Sequence, residues 1–360
     1  MEVKLPLDEL EQYCQQNLPQ RAFDYYANGR GKNITLKENK ASFQRWKILP
    51  RYLQEVNCYD VDTSISILGS TISTPICASP TGLHKIAHPD GELATAKGCY
   101  AAKTCMTVSA FATYSYEEIA ASCPSSLRWC QMYIFKDRNL TLNFVRRAES
   151  AGYKALVLTI DTTPLFKSGD KKSHFELPDC IEARNFKERP VKTLEALTQK
   201  ICSLIDPDIR GQDIQWLKSI TKLPVVLKGI MSVDDAIEAT KAGVEGIIIS
   251  NKGGRNLDEV PGTLEVLPAI VDAVQDKLEV YIDGGIRSGA DVFKALALGA
   301  RAVFIGRPVI WGLAYNGSRG VTDVFQTMND ELRLIMANTG CGRVSNINQT
   351  SLRRHCQCRL

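Results

Sequence analysis

Several short apolar runs in this chain end in residues that can bind a ligand or move a proton. They are Thr81, Ser109, Gln131 with Tyr133, Thr159 with Asp161, Lys228, Ser250 with Lys252, Asp283 and Arg307. Hydroxyls and carboxamides orient a ligand, whereas carboxylates and cations bind charge or transfer protons. Two segments are sharper. Asp283-Gly284-Gly285-Ile286-Arg287 follows one run, and Gly306-Arg307-Pro308 follows the next. Glycines let a ligand approach the backbone. Helix-terminal N–H groups beside Arg287 or Arg307 favour an anion, so the two segments predict a phosphate site. Tight turns alone would also use those glycines. Lys228 lies inside an apolar run. A lysine there needs a charged or electron-rich ligand beside it, unless its stem lets it snorkel to the surface.

The elements that must carry these residues repeat. The apolar runs are Pro75–Ala78, Cys105–Val108, Leu127–Ile134, Ala155–Ile160, Val225–Leu227, Gly246–Ile249, Val280–Ile282 and Ala302–Ile305, each followed by a helical stretch. Near-continuous apolar strands are buried on both faces, as in parallel sheets, and alternation with helices implies βαβ units. Eight such units close most economically into an α/β (β/α)8 TIM barrel, whose chemistry sits at the C-terminal strand ends. A doubly wound sheet is the alternative. Ser232 with Asp235 and Ser288 with Asp291 read as capping boxes. Val233, Ala236, Ile237 and Thr240 share one helical face, as do Val292, Ala295 and Leu296, and Gly243 and Gly299 read as stops. Residues 1–70 form an N-terminal helical extension, with Leu10, Tyr13 and Cys14 on one face. Residues 71–340 form the barrel, and 341–360 a tail. Lys167–Gln212 reads as a long loop after the fourth strand, over the active-site face.

Composition narrows the function classes. The chain has 360 residues, 44% hydrophobic, and a formal charge of +4. Its basic residues are scattered rather than banked, which argues against nucleic acid. No apolar run approaches the ~20 residues of a membrane span, and no signal-peptide core opens the sequence. Twelve cysteines and four histidines show no metal-ligand spacing, so no metal is expected. Free thiols in a soluble intracellular protein are the simplest expectation.

These residues together resemble the FMN-dependent 2-hydroxyacid oxidases, nearest to animal peroxisomal members. The resemblance rests on Asp24-Tyr-Tyr-Ala-Asn-Gly29, Ala87-His-Pro-Asp-Gly-Glu92, Gln131-Met-Tyr133, Leu227-Lys-Gly229, Ser250-Asn-Lys-Gly-Gly-Arg-Asn-Leu-Asp258, Asp283-Gly-Gly-Ile-Arg287 and Gly306-Arg-Pro308, and spans nearly the whole chain. It implies that Ala78, Ser79, Pro80, Thr81, Ser109, Gln131, Thr159, Lys228 and Ser250 hold the isoalloxazine and ribityl groups of FMN. Asp283, Gly284, Gly285, Arg287, Gly306 and Arg307 would hold its phosphate. Tyr25, Tyr133 and Arg255 would contact a 2-hydroxy acid, and Asp161 would orient the catalytic base. The implied reaction takes a 2-hydroxy acid and dioxygen to a 2-oxo acid and peroxide. An FMN barrel of another kind, such as an isopentenyl diphosphate isomerase, fits less well because Tyr25 and Arg255 persist.

The sequence departs from that pattern at the chemistry. Where the family carries a histidine base, this chain has Lys252. A free lysine, at pKa ~10.4, is almost wholly protonated near neutrality and cannot accept a proton. The family's second carboxylate-binding arginine is also missing; Thr162-Thr-Pro-Leu-Phe-Lys-Ser168 offers only Lys167. A lysine does not reproduce a bidentate arginine clamp. Phe111 stands where many relatives carry tryptophan. These departures imply either a working oxidase or a weak, FMN-binding paralogue. The final Cys358-Arg359-Leu360 resembles a variant of the Ser-Lys-Leu address, which implies a peroxisomal import receptor as partner and the peroxisome as location. The resemblance further suggests a homo-oligomer, a tetramer or larger.

Overall fold

The computed structural model describes residues 6–53, 60–162, 181–186 and 193–355. Lys167 and Cys358-Arg359-Leu360 lie outside them. Three helices open the chain, α1 (Leu7–Asn17), α2 (Gln20–Ala27) and α3 (Ile34–Gln44). Strand β1 (Trp46–Ile48) and the hairpin β2 (Ile65–Ile67) and β3 (Ser70–Ile72) follow. The repeating part runs β4 (Ile76–Ala78), α4 (Gly91–Ala101), β5 (Cys105–Val108), α5 (Tyr116–Ser122), β6 (Leu127–Met132), α6 (Arg138–Ser150) and β7 (Leu156–Thr159). It continues α7 (Leu194–Leu204), α8 (Gly211–Ser219), β8 (Val225–Ile230), α9 (Val233–Lys241), β9 (Gly246–Ile249) and α10 (Thr263–Val274). Last come β10 (Glu279–Asp283), α11 (Gly289–Ala297), β11 (Ala302–Ile305), α12 (Arg307–Asn338) and β12 (Leu352–Arg354).

Strands β4 to β11 are parallel and close into one barrel, β11 pairing with β4 through Ile305 and Ala78. The doubly wound alternative is thereby excluded. Each of the eight expected runs is a strand. Their β-branched and aliphatic residues are buried on both faces, as Gly246–Ile249 shows. The barrel interior is filled at its N-terminal end by Trp129, Tyr281 and Phe304, with ring centroids 5.4–5.6 Å apart. The β2–β3 hairpin plugs that end with Ile67 and Ile72. The opposite end is left to polar strand termini.

Three local expectations are corrected. Ser232 and Ser288 cap α9 and α11 through the N–H groups of Asp235 and Asp291, but neither pair closes a reciprocal box. Aspartate is one methylene shorter than glutamate; Asp235 binds the Ser232 hydroxyl instead, and Asp291 the Arg287 N–H. On α9 the buried face is Ala236 and Ala239, and Ile237 is exposed. The Lys167–Gln212 stretch is not one loop, because α7 and the start of α8 lie within it. Within residues 341–355, β12 pairs antiparallel with β1. In α1, Leu10 and Cys14 are buried and Tyr13 half-buried, and Phe23 of α2 stacks on Trp311 of α12 at 5.3 Å.

Candidate active site

The strand ends converge as a network rather than as separate side chains. Lys228 is 4% exposed, which rules out snorkelling. A β-bulge at Gly229, where φ is +114°, re-aims the end of β8. A Cβ at Gly229 would come within 2.7 Å of Asp161, so only glycine fits between these strands. Lys228 Nζ lies 2.8 Å from Asp283 Oδ2 and donates to Ser250 Oγ at 2.8 Å. Ser79 Oγ donates to the same Asp283 oxygen, also at 2.8 Å. Removing one partner of such a buried pair typically costs about 3–5 kcal/mol, so Lys228 and Asp283 act as a unit.

Next to this pair, Gln131 accepts from the Ala110 N–H at 2.9 Å and donates to Thr159 Oγ1 at 3.0 Å. Ser109 Oγ approaches the Gln131 carbonyl at 3.4 Å. Thr81 and Ser79 face Gly306 across the β4–β11 seam, with Pro80 between them. Beneath this loop, the buried Glu92 accepts from the His84 and Thr113 N–H groups at 3.0 and 2.9 Å.

The glycine segment after β10 turns with Gly284 and Gly285 at φ +95° and +85°. A Cβ on Gly285 would stand 2.1 Å from the Asn39 carbonyl oxygen of α3. Asn39 exchanges side-chain hydrogen bonds with Asn251 at 2.9 and 2.8 Å, so α3 braces the loops after β9 and β10 together. Arg287 Nε is sealed from solvent without a partner, as is Asp283 Oδ1. Burial pushes the Arg287 guanidinium down. The Arg307 guanidinium is pushed down to about 9 by burial, with Arg255 and Arg287 adding to the effect. Acidic groups offset this only in part, Glu11 and Asp291 at Arg287 and Glu11 and Asp283 at Arg307, and an anion beside the Arg287 Nε, which has no hydrogen-bond partner among the described residues, would offset it further. Arg307 itself donates to the carbonyls of Tyr26, Gly253 and Asn28 at 2.8, 3.0 and 3.2 Å. It therefore offers a phosphate its charge and the N-terminus of α12 rather than an open fork.

At the mouth, Lys252 has left-handed backbone, φ +56°, and its N–H donates to Ser250 Oγ at 3.1 Å. Its Nζ lies 3.2 Å from Asp161 Oδ1 and hydrogen-bonds Thr162 Oγ1. The ion pair lacks hydrogen-bond alignment, which leaves both Asp161 oxygens without such a partner. Tyr133 is buried, adjoins Thr162, and has its phenol pushed up by burial. Tyr25 is likewise raised by burial. The Arg255 guanidinium sits 5.0 Å over the Tyr25 ring and donates to the Tyr25 carbonyl. Phe111 meets Tyr133 edge-on at 6.1 Å and Phe186 at 6.0 Å.

A model of the FMN-dependent dehydrogenases matches residues 14–354. The chain belongs to that family. It is 45% identical to human 2-hydroxyacid oxidase 1, covering 97% of this chain and 96% of that protein. It is 43% identical to glycolate oxidase 3 of Arabidopsis thaliana, covering 96% and 95%. Among solved structures, mandelate oxidase with (S)-4-hydroxymandelic acid superposes with a TM-score of 0.88 at 36% identity, covering 97% of this chain and 98% of that one.

FMN is the cofactor of this family, and the residues present fit it. The unpartnered Arg287 Nε and the Gly284–Gly285 turn suit a phosphate. The Lys228–Asp283–Ser250 cluster offers a fixed positive charge for the ring. Asn39, Asn251, Thr162 and Phe186 were missed in the sequence. Only Asn39, a poor helix former inside a helix, left a local signal there.

Proposed function

We propose that this chain is an FMN-dependent (S)-2-hydroxyacid oxidase whose turnover is slowed because Lys252 occupies the position of the proton acceptor. When bound, FMN supplies the hydride acceptor and, with dioxygen, the route to peroxide. The chain's own residues do the rest. Arg255 and Tyr25 would pair with the substrate carboxylate, Tyr133 would orient the 2-hydroxyl, and Lys228 would hold positive charge at the ring edge. The residues named for the phosphate and ring would keep those roles, except Asp283, whose ion pair with Lys228 at 2.8 Å favours a place on the ring side instead of at the phosphate. The single observation that carries the reading is the Lys252–Asp161 ion pair at 3.2 Å. An ammonium neutralised by a carboxylate has no lone pair for the hydroxyl proton. General-base catalysis contributes roughly 10²–10⁴-fold. K252H should therefore raise kcat on a 2-hydroxy acid by about two orders of magnitude or more. No gain would overturn the assignment of Lys252 as the limiting residue.

The chain reads as one domain, with extension 1–70, barrel 71–340 and tail 341–360, assembling as a homo-oligomer. Cys358-Arg359-Leu360 resembles a peroxisomal address. Fusing the last ten or so residues to a fluorescent protein should give punctate peroxisomal signal. A diffuse signal removes the localisation.

A further inference from the structure

A primary amine at the mouth can perform a reaction closed to the imidazole it replaces. Of Lys228 and Lys252 at the strand ends, Lys252 is the accessible one. The Lys228 side chain is 5% exposed and bound to both Asp283 and Ser250. The Lys252 side chain is 27% exposed, beside Asp161 and the Thr162 hydroxyl, with Tyr133 adjoining Thr162. Arg255 stands three residues further on, on the same loop. A carbonyl-reactive amine needs such surroundings: a carboxylate to carry protons, hydroxyls to hold the carbonyl oxygen, and a cation for the ligand's carboxylate.

We propose that Lys252 condenses with the C2 carbonyl of a 2-oxo acid to form an imine. This rests on the reading that the mouth receives 2-hydroxy acids and their 2-oxo products. Asp161 takes one ammonium proton in a minority of encounters, too few to sustain rapid turnover but enough for a slow condensation, and the freed amine adds to C2, forming the C–N bond while the carbonyl electrons move to oxygen. Asp161 returns its proton to that oxygen, then removes a second proton from nitrogen and delivers it to the hydroxyl. The C–O bond breaks, water leaves, and a protonated C=N remains. No oxidant or reductant enters. The positive charge begins and ends on nitrogen, so the ion pair with Asp161 does not oppose the condensed state.

FMN-loaded protein is mixed with glyoxylate and sodium cyanoborohydride, and carboxymethylated lysines are mapped by peptide mass spectrometry. Lys252 should be modified on the order of tenfold or more faster than Lys241, whose ion pair with Glu238 is open to solvent, given what an acid–base partner held in a sheltered mouth contributes. K252R should lose that adduct alone, and D161N should slow it. Equal labelling of Lys252 and Lys241 overturns the imine. The flavin spectrum with glyoxylate and no reductant separates the two readings. A spectral shift without preferential labelling removes only the imine. No shift and no labelling also removes the reading of the mouth as an oxo-acid site.

Discussion

An imidazole and an amine at one position differ in what they can do with a proton, and the difference at Lys252 is set by Asp161. The carboxylate that would steady a histidine lies 3.2 Å from the lysine Nζ. The proposed substitution was readable in the sequence because its neighbours Ser250, Asn251 and Gly253 resemble the family pattern. The ion pair was not, because Asp161 is 91 positions away and its reach depends on Gly229 letting β8 pass close. His84 makes a second residue-scale point. It is buried behind the β4 loop, with Nδ1 3.0 Å from Thr95 Oγ1 and no well-aligned hydrogen bond to Nε2 among the described residues. Burial pushes its imidazole down, against the opposing pull of Glu92 and the Thr81 carbonyl. A depressed histidine stays neutral in the fold, while the unfolded chain takes a proton below about pH 6.5. Its contribution is thus present above that pH and lost as pH falls. Thermal melts from about pH 7.5 to 5.5 should show a steeper loss for the wild type than for H84Q, across the histidine range. Parallel slopes would sink this account.

At the scale of elements, the parallel strands were readable because burial on both faces leaves uninterrupted apolar runs. The β1–β12 pairing was not, since Trp46–Ile48 and Leu352–Arg354 are only three residues each and carry no periodicity of their own. The bracing of the phosphate turn by α3 was hidden for a related reason. A polar residue inside a helix signals a partner but not which one. The contact makes a sharp prediction. G285A places a methyl on the Asn39 carbonyl at a φ that side chains rarely adopt. It should cost about 1–3 kcal/mol of stability. It should also weaken FMN retention on gel filtration, because the shift falls on the turn beside Arg287. Retention equal to wild type would show that α3 does not set the phosphate turn.

Across the whole molecule, the extension, barrel and described tail form one frame. Phe23 and Tyr26 pack on Trp311 at the start of α12, and β12 returns to β1. The same α2 segment supplies Tyr25 to the mouth and carbonyls to Arg255 and Arg307. The proposed cofactor site and substrate mouth are therefore held by shared contacts. The most direct test is an anaerobic visible spectrum of the FMN-loaded protein, followed in time after adding glycolate, lactate or a long-chain 2-hydroxy acid. The flavin band should stay oxidised on the timescale of turnover in the wild type and bleach in K252H. Bleaching of the wild-type protein at the ~10 s⁻¹ typical of enzymes would contradict the central claim.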